Sequence, residues 1–232
     1  MKINDAIEKI RPILAKPIFN LLEDPTDKGN FGKALELLIG LKNSSKTLDF
    51  DDGELKTNDF YLESNKSKET IKVRQYSSNN IHEIIDGPVD FKSSPVYEKL
   101  RNTLYVTTIR YLKSGKMLNK DEWHFGHVFH INEIDHPLTF RVLEADYTFC
   151  CKALRAYTDK KHVNLNKSNK EIIPFHTISG HFLQMRTAGQ KDKSGTYRHI
   201  MIDKNFMLCN KPICFMLKTN FLSEVGIKKN II

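Results

Sequence analysis

Residues 28–57, KGNFGKALELLIGLKNSSKTLDFDDGELKT, constrain the chain most, because they demand two different backbone periods in one short segment. Ala34, Leu35, Leu37, Leu38 and Leu41 recur at helical spacing over residues 33–41, which predicts a packed helix carrying Glu36. Gly29 and Gly32 loosen its start, and Gly40 with Asn43 can close it. Residues 47–57 then read as extended chain with a tight turn at Asp51, Asp52 and Gly53. Side chains alternate on a strand, so Glu54 and Lys56 share one face and Leu55 points to the other. Asp49 lies just across the turn, in reach of the same face, with Glu36 approaching from the helix.

Such a cluster suits phosphodiester hydrolysis. Hard carboxylate oxygens hold Mg²⁺, which keeps several waters and takes a phosphate oxygen as well. The ion activates a water and stabilises charge at phosphorus, and a neighbouring ammonium can orient or deprotonate that water. Clustered acids raise one another's proton affinity, and Lys56 relieves that strain. The expected roles are Asp49 and Glu54 as metal ligands, Lys56 as the water-positioning residue and Glu36 as a supporting acid. Taken alone, the same string also reads as an ordinary hairpin turn beside a solvated helix face.

The segment resembles the start of the MutH mismatch-repair endonuclease family and its restriction-enzyme relatives. The shared features are K-G-x-x-G, a glutamate on the following helix, then D-F and G-x-E-L-K-T. The likeness continues in SSPVYEKLRNTLYVTT (93–108), in the long helix after Leu143, in ISGHFLQMRTAGQKDKSG (178–195) and in ICFMLKTNFLSEV (213–225). It implies an α/β chain of the PD-(D/E)xK restriction-endonuclease-like fold, with a mixed central sheet flanked by helices and two lobes around a DNA cleft. Residues 1–232 are expected to form a single endonuclease domain, with a catalytic lobe over about 1–130 and a DNA-reading lobe over about 131–232. By position, the family's acidic and lysine residues fall on Glu36, Asp49, Glu54 and Lys56, and a further lysine falls on Lys99. The sequence departs from the pattern in having Leu48 before Asp49 and a shorter gap to Glu54, which leaves Asp49 and Asp51 as alternative ligands.

The DNA reader is expected within residues 176–199: a strand-like stretch, 181–185, then Arg186, Thr187, Gln190, Lys191, Lys193, Ser194, Tyr197 and Arg198. Arginine grips guanine bidentately, glutamine grips adenine, and lysines hold phosphates. The resemblance places a base-contacting arginine on Arg186, and puts Thr187 where the family has proline and Met216 where it has a tyrosine tied to sensing adenine methylation. Lys28 and Lys218 are further expected DNA contacts, and Lys66, Lys68, Lys72 and Arg74 are possible phosphate contacts.

Length and composition agree. At 232 residues, with 40% apolar and 28% charged residues, the chain has the balance of a soluble globular protein. A formal charge of +8 suits a polyanion. Residues 1–20 are broken by charges and by Pro12 and Pro17, so neither a signal peptide nor an anchor is expected, and the cytoplasm is the default location. Cys150, Cys151, Cys209 and Cys214 do not form a secreted disulfide framework. His124, His127 and His130 cannot all share one strand face, so zinc is not expected.

Elsewhere, residues 3–22 read as an amphipathic helical lead-in interrupted at its prolines, 95–100 as a short helix, and 103–111 and 123–131 as extended runs. Residues 141–157 read as a helix and 158–170 as a loop. The expected function is a Mg²⁺-dependent, sequence-specific double-strand DNA endonuclease, a type II restriction enzyme with a GATC-like target and 5′-phosphate products. Its expected partners are duplex DNA, a second copy meeting it transiently there, and a cognate methyltransferase. The alternatives are a mismatch-repair nickase acting on hemimethylated GATC, and a DNA-binding module without catalysis.

Overall fold

A computed structural model describes residues 1–22, 30–41, 48–64, 66–112, 115–166, 175–188, 194–195, 200–202, 207–209 and 211–226, with side chains of the long helix described to residue 159. The protein is mixed α/β. In chain order the elements are α1 (Ile3–Ile10), α2 (Asn30–Ile39), β1 (Glu54–Tyr61), β2 (Ile71–Tyr76), α3 (His82–Ile85), α4 (Pro95–Leu100), β3 (Asn102–Tyr111), β4 (His124–Asn132), α5 (Pro137–Asn166), β5 (Ile178–Ser179), β6 (Leu183–Thr187), β7 (Ile200–Met201), β8 (Met207–Cys209), β9 (Ile213–Leu217) and α6 (Phe221–Val225), with short 3₁₀ turns at Arg11–Ile13, Phe19–Leu21 and Lys120–Glu122. Among the described residues, no helix is long and apolar enough to cross a membrane.

The chain divides into two compact units, and the division is interleaved rather than the single break expected near residue 130. Unit 1 comprises Met1–Ile71, Lys99–Pro137 and Thr219–Ile232, and unit 2 comprises Lys72–Glu98 and Leu138–Lys218.

Unit 1 is built on a three-stranded sheet in the order β1-β3-β4, with β1 and β3 parallel and β3 and β4 antiparallel. Parallel pairing in register sets Glu54 beside Thr103 and Lys56 beside Tyr105, so these four side chains share one face. The opposite face carries Leu55, Leu104 and Val106, which join Ile3, Ala6, Ile10, Phe31, Leu35, Ile39, Phe50 and Trp123 in the apolar core. These residues bring α1 and α2 onto that face, because Ile3, Ala6 and Ile10 on α1 and Phe31, Leu35 and Ile39 on α2 each form a buried stripe at helical spacing. At the far end of the sheet Asp59 and Arg110 form a buried bidentate pair, with Arg110 Nε 3.0 Å from Asp59 Oδ1. The Arg110 guanidinium stacks 4.2 Å from the Phe31 ring centroid. On the Glu54 face, Phe221 of α6 packs its ring 5.9 Å from Tyr105.

Unit 2 contains a four-stranded sheet in the order β2-β9-β6-β5, in which β6 pairs antiparallel with both β9 and β5. Its core is aromatic: Tyr147 stacks on Phe215 at 5.3 Å, and Phe91 sits 5.5 Å from Tyr147 and 5.3 Å from Tyr97. β7 and β8 form a separate two-stranded antiparallel pair.

Two expectations for local structure are corrected. The helix expected to end at residue 157 runs to Asn166, so 158–166 are helical rather than loop. The stretch expected to be extended from residue 47 bends over residues 48–52, and the strand starts at Glu54.

Candidate active site

The local fold at the DDG turn explains where its acids point. Phe50 N donates to Gly53 O at 2.8 Å, closing the turn. Asp49 Oδ2 accepts Leu55 N at 2.9 Å, which anchors the aspartate against the first residues of β1. Gly53 is required here, since a Cβ on it would lie 2.2 Å from the Asn102 carbonyl oxygen. Asn102 in turn donates its side-chain amide to Asp52 O at 2.7 Å, so the turn is held against the start of β3.

This packing separates the three aspartates by role. Asp51 Oδ2 accepts the Met1 ammonium at 2.7 Å, and Asp52 Oδ1 accepts Ile3 N at 3.0 Å at the start of α1. Both therefore serve the N-terminal helix. Asp49 is exposed, its other carboxylate oxygen has no partner among the described residues, and its charge acts on Glu36.

Glu54 is only 2% exposed. Its Oε1 accepts both Lys56 Nζ and Lys99 Nζ, the latter at 2.8 Å. Lys99 reaches it from the last turn of α4, where Thr103 Oγ1 caps the Lys99 carbonyl at 2.7 Å. The other oxygen, Oε2, is buried and has no hydrogen-bond partner among the described residues. A buried carboxylate oxygen left without a donor is unfavourable unless something supplies positive charge to it.

Glu36 approaches from α2. Burial is the main reason its carboxyl is held above the ordinary carboxylate range, and the neighbouring Asp49 charge adds to this, while Lys56 and Lys33 pull the other way. These mutual influences place Glu36, Asp49 and Lys56 in one electrostatic neighbourhood. Tyr105 forms part of the floor: burial raises its phenol, its bond to Thr103 opposes this, and the Glu54 charge raises it further.

Of the expected catalytic residues, Glu54, Lys56 and Lys99 are in contact, and Glu36 feels the charges of Asp49 and Lys56. Among the described residues, no three His, Cys, Asp or Glu side chains gather into a self-sufficient metal cage. The donor set nevertheless fits Mg²⁺, which is commonly held by one or two carboxylates with waters and substrate phosphate completing the shell. The orphaned Glu54 oxygen and the uncommitted Asp49 oxygen are the two places where such an ion would attach.

The expected DNA contacts fare unevenly. Lys28, Gln190, Lys191, Lys193, Tyr197 and Arg198 lie outside the described residues. Arg186 is exposed on β6, Thr187 beside it is half-buried and in register with Ile213, and Ser194 is exposed. Lys218 follows β9 directly, and its Nζ donates to Gly180 O at 3.0 Å. Its ammonium therefore holds a turn within unit 2. Of the lysines and arginines between residues 66 and 74, Lys68 lies 3.4 Å over the Tyr111 ring and Arg74 5.7 Å over Tyr76, while Lys72 is exposed. His124 Nδ1 lies 2.7 Å from Glu122 O and His130 Nε2 lies 2.7 Å from Asn102 Oδ1, so each has its own local partner.

Sequence reading missed two features. Asp146, on α5, is buried and accepts three successive backbone N–H groups, from His181, Phe182 and Leu183, at 2.7 to 2.9 Å. Gln75 on β2 carries no sequence signal at all until strand order is known. Comparison with protein-family models and with curated proteins finds no match for this chain.

Proposed function

We propose that the protein is a Mg²⁺-dependent endonuclease that hydrolyses phosphodiester bonds of double-stranded DNA, in the manner of a type II restriction enzyme of the PD-(D/E)xK class with a GATC-like target. The observation that carries this reading is Glu54: a buried carboxylate with one oxygen shared by two lysines and the other without a donor among the described residues. A purely structural ion pair has no reason to leave that oxygen bare.

Glu54 Oε2 and Asp49 would hold the ion, which supplies Lewis-acid stabilisation of charge at phosphorus and a more acidic bound water. Lys56 holds the attacking water and neutralises the phosphate as negative charge builds. Lys99 fixes the Glu54 carboxylate through Oε1, which leaves the buried Oε2 for the ion. Glu36 adds negative charge beside Asp49, raising the demand of the site for a cation. The sequence-reading residues under this proposal are Arg186 with the segment that follows it.

Incubation of the purified chain with plasmid DNA in Mg²⁺, with and without EDTA, followed by mapping of the ends, tests the reading. Both strands should be cut at one repeated word, with 5′-phosphate ends, only when Mg²⁺ is free. Glu54→Gln should reduce the rate on the order of 10²-fold or more, the scale seen when a charge-stabilising group is removed, and should leave duplex binding intact. Cutting of a single strand would turn the reading to a nickase, and binding without any cutting would leave a DNA-binding module.

A further inference from the structure

Apart from the acidic centre, unit 2 gathers polar and cationic groups at one place on its four-stranded sheet. Arg186 on β6 is in register with Cys214 on β9, so their side chains leave the sheet on the same face. Gln75, on the neighbouring strand β2, comes to that same point: Cys214 Sγ lies 3.9 Å from Gln75 Oε1. β2 stands at the end of the strand order, and Lys72, three residues earlier, brings Nζ within 3.5 Å of the same Gln75 oxygen. The thiol beneath is fully buried. Burial pushes the Cys214 thiol up, and the charges of Lys72 and Arg186 both draw it back down.

Lys72, Gln75 and Arg186, which meet around Cys214, are all exposed. Gln75 spends its carbonyl oxygen on Lys72 and Cys214, and its amide nitrogen has no partner among the described residues. Arg186 has no carboxylate beside it among the described residues. Two cations without a counter-ion among the described residues, set around an amide donor, form a receptor for an anion bearing several acceptor oxygens. Lys68 and Arg74, which looked equivalent to Lys72 in sequence, are instead laid over aromatic rings.

We propose that Lys72 and Gln75 form a phosphate-contact patch for the backbone of duplex DNA, lying beside the base-reading Arg186. The proposal rests on the DNA reading above and extends it to a strand that the sequence motifs do not touch. Lys72 supplies the charge at the phosphate, Arg186 beside it adds to the positive field, and Gln75 supplies a neutral donor that fixes where the phosphate sits.

The test is the salt dependence of binding by the full chain to a fluorescent mixed-sequence duplex, measured in EDTA so that the strands stay intact. Each phosphate neutralised contributes about 0.9 to the slope of log affinity against log salt. Lys72→Ala should weaken binding several-fold and reduce the slope by about that amount, with Lys72→Arg restoring it. Gln75→Ala should weaken binding and leave the slope unchanged. Both side chains are exposed, so the variants should retain the thermal unfolding profile of the parent chain. If the parent chain binds duplex DNA but both alanine variants keep its affinity and slope, the patch is refuted while the nuclease reading stands. If the parent chain shows no salt-dependent binding to duplex DNA, the nuclease reading and the patch fall together.

Discussion

Glu36 is a residue whose charge works against the fold that carries it. Burial and the nearby Asp49 charge raise its carboxyl above the ordinary value, so the folded chain binds a proton there more readily than the unfolded chain does. The stability this contributes is fully present below the unfolded value and is lost as pH rises through the folded one. At neutral pH the ionised glutamate is therefore a liability, and Glu36→Gln should raise the unfolding temperature there. That gain should shrink as the pH falls toward 4.5, the ordinary value of the group. Thermal scans of both chains across this range, without divalent ions, check it; a glutamine variant less stable at pH 7 would show that Glu36 is held by favourable contacts instead. Gly53 has the opposite character. Its replacement by alanine drives a methyl group into the Asn102 carbonyl and should cost at least about 1–3 kcal/mol, which denaturant titration would read as a lower midpoint at unchanged slope.

Among elements, β6 depends on a single carboxylate. Asp146 meets the backbone N–H groups of His181, Phe182 and Leu183 just where the strand begins, and it is 7% exposed. Asp146→Ala would leave three donors without an acceptor, and should destabilise unit 2 by on the order of 3 kcal/mol or more. Hydrogen exchange should show the loss first at residues 181–187, and exchange there at the parent rate would remove Asp146 from this role. Nothing in the sequence announces this contact, because the partners are backbone groups in a segment far along the chain. Other elements were legible for physical reasons. The helix carrying Glu36, the short helix 95–100 and the strands near 103–111 and 123–131 all show a periodic apolar pattern and appear close to where that pattern places them. The end of α5 was misread because residues 158–166 are polar, and polarity reports exposure rather than backbone state; lysine and its like are good helix formers. β2 was hidden similarly, its buried Ile71, Val73 and Tyr76 being interleaved with Lys72, Arg74 and Gln75. At the site, the Glu54–Lys56 pairing was readable because residues two apart on a strand share a face. That Asp51 and Asp52 serve α1, and that Lys99 and Lys56 meet on one oxygen, depends on contacts that only the folded chain contains.

Across the whole molecule, chain order does not follow the division into cores. The chain leaves unit 1 after residue 71, returns at 99, leaves again after 137 and comes back at 219. A lobe boundary near residue 130 was the natural reading of a sequence, since nothing in a linear pattern tells a helix near residue 221 to pack beside a strand near residue 105. Yet Phe221 and Leu222 are each 1% exposed and Val225 is 8% exposed, and Phe221 covers Tyr105 on the sheet face that also carries Glu54 and Lys56. Burying such side chains stabilises by about 1.5–3 kcal/mol apiece, so the three together approach the roughly 5–15 kcal/mol that holds a domain folded. A chain ended after Lys218 is therefore expected to lose cooperative unfolding of unit 1 and, with it, any activity of the acidic centre. Phe221→Ala in the full chain is the milder form, with an expected loss of about 3–5 kcal/mol and a lowered unfolding temperature. Calorimetry on the two chains distinguishes the outcomes: a truncated chain that unfolds at the parent temperature would mean that α6 is an appendage, and that the Glu54 face is closed without it.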